Sequence, residues 1–156
     1  MKPLLILTTA AALLAGVSIS TAASAGQCPA GQQRAEARPT GETMPLKVTD
    51  TELAFVALGS EIDHLDGRRL RLRRLVVQPG GVVPWHSHTD RPALIMTQSG
   101  SITEYASNCA VGIEHATGDV AREVKGVSHW WRNNGKVPAV LIAADIINDG
   151  GKPADH

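Results

Sequence analysis

Residues 80–100 read GGVVPWHSHTDRPALIMTQSG, and this stretch decides the fold. It opens on a Gly80-Gly81 turn signal and passes through Pro84 and Trp85, an extended approach because the residue before a proline avoids the helical region. His86 and His88 follow, one residue apart. On a strand, residues i and i+2 project from the same face, so both imidazoles can reach one ion. A break at Asp90-Arg91-Pro92 and a second short apolar run, Leu94 to Thr97, complete a strand–turn–strand pattern.

The flanking chain repeats that pattern. Runs of strand length occur at Leu53–Leu58, Arg69–Val77, Ser101–Tyr105, Val120–Val124 and Val137–Ile147. They are separated by Pro79-Gly80-Gly81, Gly100, Gly118-Asp119, Gly126 and Asn133-Asn134-Gly135. Short strands broken at this spacing predict an all-β sandwich or barrel, and no long helical period competes. Alternate side chains of a small antiparallel barrel point inward, so a few polar residues can share a cavity with apolar walls.

A third imidazole comes from His129, which follows the Gly126 turn and opens the strand-like stretch Trp130-Trp131-Arg132-Asn133. Three nitrogen ligands from two strands suit iron, zinc, manganese, nickel or copper and leave positions open for water, oxygen or substrate. Structural zinc sites normally close with four protein ligands, so an open triad points to chemistry more than to bracing.

These residues resemble the cupin superfamily. Gly80, His86, His88 and Gly100 match its first motif, G-x5-H-x-H-x3,4-E-x6-G, and Gly118, Gly126, His129 and Asn133 match its second, G-x5-P-x-G-x2-H-x3-N. The resemblance covers roughly residues 53 to 147 and implies an antiparallel β-barrel of the double-stranded β-helix or jelly-roll type. It implies one divalent metal held by His86, His88 and His129, with iron favoured. Two positions depart from the pattern. Val124 replaces the second motif's proline, and Ala93 stands where the first motif has glutamate. The resemblance therefore supports a neutral three-histidine shell, similar to that of three-histidine iron dioxygenases among cupins. Such a shell leaves the ion's full charge to attract an anionic or chelating ligand.

Glu104 and Gln98 are the candidates to stand in for the absent glutamate. Arg91 and Glu104 are candidate catalytic residues, and Arg91, Trp85 and Gln98 are candidate substrate contacts. Arg91 suits a carboxylate because its guanidinium binds bidentately, whereas an Asp90–Arg91 turn contact is the plainer reading. At most one of Trp130 and Trp131 faces inward, since adjacent residues on a strand point apart. His64 and His115 read as surface histidines.

The first 25 residues combine Lys2, an apolar run from Leu4 to Val17 and Ala23-Ser24-Ala25, the pattern of a cleavable signal peptide. The apolar run is shorter than the roughly 20 residues a membrane span needs. Gln27 before Cys28 does not fit a lipoprotein anchor. Cleavage after Ala25 leaves residues 26–45 as an extended, breaker-rich arm, 46–148 as the barrel and 149–156 as a flexible tail. The product is periplasmic or secreted, without a membrane partner. In that oxidising setting Cys28 and Cys109 are expected to pair.

The 15 Lys and Arg balance 15 Asp and Glu, which argues against a nucleic-acid partner. The basic run Arg68, Arg69, Arg71, Arg73 and Arg74 alternates partly with Leu70 and Leu72, the pattern of a strand with a solvated outer face. The expected function is an exported metal-dependent oxygenase-type enzyme acting on a small organic molecule. The alternative is a non-catalytic cupin that binds or senses a metal or small ligand. A homodimer is expected from the way cupins pair through their sheets.

Overall fold

The computed structural model describes residues 26–148, so the leader at 1–25 and the tail at 149–156 lie outside the described residues. Eight strands make up most of this part: β1 (Leu46–Ala57), β2 (Arg68–Ser87), β3 (Ala93–Ser99), β4 (Ser101–Ala106), β5 (Ile113–Ala116), β6 (Val120–Glu123), β7 (Ser128–Arg132) and β8 (Ala139–Asn148). One short 3-10 turn, Leu58–Ser60, joins β1 to the β2 approach. The ladders are antiparallel and run in the order β5-β4-β7-β2-β8-β3-β6, with β1 added to β2, giving a nearly closed barrel.

Strand β2 organises the barrel. Its first half pairs with β8 on one side and β1 on the other, and its second half pairs with β7. The Gly80-Gly81 signal marks a bend inside this strand and not its end. Gly80 holds a φ of +75°, and a Cβ on Gly81 would sit 2.7 Å from the carbonyl oxygen of Gln78 and 2.9 Å from that of Lys47. The bend lets one continuous strand change partners and carry His86 and His88 to the barrel mouth. β5 has only four residues and too little alternation to stand out in the sequence.

The interior is filled by alternate residues of facing strands, including Leu75, Val77, Ile95, Leu141, Ala143 and Trp131. The basic run of β2 is turned opposite to the expectation. Arg71 and Arg73 are buried, whereas Leu70 and Leu72 are 42% and 38% exposed. A period of two separates the faces of a strand but does not say which is inside; acids on the neighbouring strands decide it here. Asp145 of β8 receives Arg71 through two hydrogen bonds of 3.0 and 2.9 Å, and Asp50 of β1 pairs with Arg73. The pairing Arg71↔Asp145 is also the strand register, so the charges meet across one rung of the ladder.

Residues 26–45 lie along the loop after β4. Arg34 and Arg38 donate their backbone N–H groups to Asn108 and Ser107, and Ala110 donates to Gln32. A disulfide joins Cys28 to Cys109 across 81 residues of sequence. Farther along, the carbonyl of Glu42 accepts the backbone N–H of Trp85 at 2.6 Å, so the segment reaches the strand that carries the histidines.

Candidate metal centre

The β2–β7 register places His86 opposite His129, and His88 lies two residues farther along the same face. The three rings meet with centroids 4.6 to 4.9 Å apart. The Nε2 atom of His129 is 3.0 Å from that of His88 and 3.1 Å from that of His86. Each Nδ1 is engaged elsewhere. His86 donates to the carbonyl of Pro84 at 2.7 Å, His88 to the carbonyl of Arg91 at 2.7 Å, and His129 to Oε1 of Glu104 at 2.8 Å. Carbonyl and carboxylate oxygens can only accept, so these bonds put the proton on Nδ1 and leave a lone pair on every Nε2.

Three lone pairs pointed at one another repel unless a cation lies among them. Imidazole nitrogens bound at about 2.1 Å and separated by about 3.0 Å subtend roughly a right angle at the ion, closer to an octahedral face than to a tetrahedral site. The residues fit a divalent transition metal with positions left over. Burial, reinforced by His129, lowers the pKa of His86 to about 3 and that of His88 to about 4. Both rings are thus neutral and ready to ligate at physiological pH.

Behind His129 lies a second buried cluster. The other oxygen of Glu104 accepts a hydrogen bond from Nε2 of His115 at 2.9 Å. Burial would raise the pKa of Glu104, but the bonds from His115 and His129 overcome it and hold the carboxyl at about 2. Glu123 approaches from β6, with Oε2 3.2 Å from Nδ1 of His129. Burial, with the charge of Glu104 adding to it, raises Glu123 to about 9. His115 is not a surface histidine. It is 1% exposed and stacks on Trp131 with ring centroids 4.6 Å apart. It shares the inward face of β5 with Ile113, but so short a strand leaves no local signal of burial.

A family model described as "Cupin domain" matches residues 73–145, the span from Arg73 of β2 to Asp145 of β8. These residues form a cupin domain. Among curated relatives of this cupin, germin-like protein 5-1 of Oryza sativa subsp. japonica is 32% identical over 58% of the chain and 41% of its own length. Germin-like protein subfamily 2 member 1 of Arabidopsis thaliana is 33% identical over 62% of the chain and 47% of its own length. The chain therefore spans less than half of each of these relatives. Among solved structures, a predicted oxalate decarboxylase from Thermotoga maritima superposes with a TM-score of 0.52 at 20% identity, covering 64% of this chain and 80% of that one. An oxalate oxidase in complex with the substrate analogue glycolate gives 0.50 at 20% identity, covering 70% of this chain and 59% of that one. At that identity the likeness establishes the fold alone.

The cupin cavity, about 450 Å³, opens beside the triad. Its walls include His86, Trp85, Trp131, Arg73, Arg91 and Asp50. Arg91 has a long ion pair with Asp145, 3.9 Å, where Arg71 has 2.9 Å to the same carboxylate. The Asp90–Arg91 turn contact is not formed among the ion pairs described. Asp90 instead pairs with Arg68 at 2.7 Å. Gln98 is exposed on β3 and does not line the cavity. Glu104 stands behind His129, away from the Nε2 atoms. Trp131 faces inward, and Trp130, on the other side, stacks on Tyr105 at 4.3 Å. His64 is exposed, with a φ of +68°.

Proposed function

We propose that this cupin is an exported metalloenzyme in which His86, His88 and His129 hold one divalent metal, with iron favoured, for oxygenase-type chemistry on a small organic molecule. One observation carries this reading: three Nε2 lone pairs converge while each Nδ1–H is fixed to an oxygen acceptor. When bound there, a transition metal supplies Lewis acidity and, as iron, redox capacity toward dioxygen. The chain's own residues do the rest. The Pro84 and Arg91 carbonyls and Glu104 orient the rings, and the wall of Trp85 and Trp131 limits water. Arg91, loosely paired and facing the cavity, meets an anionic group of the substrate.

Export is supported by the signal-like first 25 residues and by the Cys28–Cys109 disulfide, a bond typical of oxidising compartments. A homodimer is supported by an outer sheet face on which Leu70, Leu72, Leu94 and Met96 are between 38% and 54% exposed. Sedimentation of the protein should show a dimer that Leu72→Lys and Leu94→Lys convert to a monomer.

The test of the metal reading is elemental analysis of purified protein beside His86→Ala, His88→Ala and His129→Ala. Near-stoichiometric metal in the parent, lost in all three, supports it. A metal-free parent after gentle purification sinks it. Binding without turnover is the second reading, favoured by the pairing of Asp50 with Arg73 and of Glu104 with two histidines, which leaves neither carboxylate unengaged for proton transfer. Oxygen uptake by the metal-loaded protein across a panel of small organic acids separates the two.

A further inference from the structure

Ala93 leaves the first cupin motif without its carboxylate, yet the interior around it is not short of one. On the β3–β6 ladder the Cα partner of Ala93 is Glu123. Side chains directly opposite in an antiparallel pair point to the same face, with Cβ atoms about 5 Å apart. Both residues face the interior, Ala93 at 8% exposure and Glu123 at 3%. Ala93 offers only a methyl on this rung, whereas Glu123 opposite it carries a carboxyl that lies beside Nδ1 of His129.

The surroundings of Glu123 point to a missing cation. Its Oε2 lies 3.2 Å from Nδ1 of His129, but that nitrogen carries one proton at most, and Oε1 of Glu104 is nearer at 2.8 Å. Its Oε1 is buried with no hydrogen-bond partner. Glu123 is thus a buried carboxyl without a donor of its own, beside a second carboxylate. As a carboxylate such a group is costly, so it keeps its proton unless a positive charge completes it. Its oxygens group with those of Glu104 and with His129, and not with His86 and His88, so the side chain must turn about the His129 ring to reach the three Nε2 atoms.

We propose that Glu123 supplies, from β6, the oxygen ligand that Ala93 cannot supply from β3. The assignment rests on the metal reading above. It turns the neutral three-histidine shell into a three-histidine, one-carboxylate shell whose acid has moved across one rung of a ladder. The ion then carries one charge less toward the substrate, and the site would favour harder ions more than three imidazoles alone do.

The test is chelator-competition affinity for manganese(II) and cobalt(II), measured on the parent, Glu123→Gln and the double variant Ala93→Glu/Glu123→Gln. Glu123→Gln keeps the shape of the side chain and should bind about 10–100-fold more weakly, the scale on which a metal site responds to loss of a supporting group. The double variant, which restores the carboxylate from the other strand, should recover most of that loss. Cobalt(II) absorption of the parent and Glu123→Gln gives a second reading, because losing an oxygen ligand moves the d–d bands. Unchanged affinity and spectrum in Glu123→Gln, or a double variant no tighter than Glu123→Gln, would overturn the assignment while leaving the triad intact. A parent that binds neither ion would overturn the metal reading and this assignment together.

Discussion

Glu104 reaches diagonally across the β4–β7 ladder, past its partner Trp131, to place Oε1 2.8 Å from Nδ1 of His129. That contact decides which nitrogen of His129 faces the other two imidazoles with a lone pair. A carboxylate can accept from His129 and His115 at once, whereas an amide has one accepting oxygen and one donating nitrogen. Glu104→Gln therefore forces one histidine into the other tautomer. If that histidine is His129, its Nε2 becomes protonated and ceases to be a ligand. We predict about 10–100-fold weaker metal binding with the fold retained. Nitrogen-15 shifts of His129, which report its tautomer, should change with the affinity; an affinity loss with unchanged shifts would mean that Glu104 acts by another route.

The shifted pKa values predict a stability maximum in the metal-free protein. His86 and His88 titrate near 3 and 4 when folded and near 6.5 when unfolded, so the unfolded chain binds more protons between about pH 4 and 6.5 and stability rises with pH there. Glu123 works the other way. Its folded pKa, about 9, exceeds the ordinary 4.5, so above 4.5 the folded state holds a proton that the unfolded state has lost, and stability falls as pH rises. Between 4.5 and 6.5 two histidines outweigh one carboxyl; above 6.5 the carboxyl acts alone. The maximum should lie near pH 6.5, with limbs on the order of 1 kcal/mol per pH unit. Thermal melts of chelator-treated protein from pH 4.5 to 9 test this, and Glu123→Gln should flatten the alkaline limb and steepen the acidic one. Equal alkaline slopes in the two proteins would count against it.

The outline of this fold is legible in the sequence because its marks are local. Strand-length runs, the His-x-His spacing and the Gly126–His129 step each lie within a few residues, and they lead to the barrel and to three rings on one face. What is not legible depends on register between strands. The alternation of Arg71 and Arg73 with Leu70 and Leu72 separates two faces, but only Asp145 on β8 and Asp50 on β1 show which is inside. His115 looks solvent-facing until β5 pairs with β4 and carries it toward Glu104 and Trp131. Glu123 is unremarkable in its own segment and becomes chemically placed only as the rung partner of Ala93.

The Cys28–Cys109 bridge closes a loop of 81 residues, for which the chain-entropy model gives about 4.5 kcal/mol. Its removal should also loosen the 26–45 segment, whose Thr43 and Pro45 line the cavity. Cys28→Ser/Cys109→Ser is expected to cost about 2–5 kcal/mol in chemical denaturation and to weaken ligand binding more than metal binding. Non-reducing peptide mapping of the parent should recover the two cysteines joined; free thiols at both would overturn the basis of this prediction.

The pair Arg71–Asp145 separates the cost of breaking a buried ion pair from its net value. The Asp145 carboxylate is fully buried and draws on Arg71, Arg73 and, at 3.9 Å, Arg91. Arg71→Leu removes its best partner and leaves a buried charge held by two longer contacts. Breaking one side of such a pair costs about 3–5 kcal/mol, and the residual pairing places the expected loss toward the lower end. Replacing both residues with leucine removes the charge together with its partner, which for buried pairs is often neutral. Here Arg73 and Arg91 would then lose their shared acid, so the double variant should recover only part of the loss and should bind organic anions in the cavity more tightly than the parent. Urea denaturation of the two variants, read beside anion titrations followed by Trp85 and Trp131 fluorescence, measures both effects. Full recovery of stability with unchanged anion affinity would mean that Asp145 does not restrain the cavity arginines.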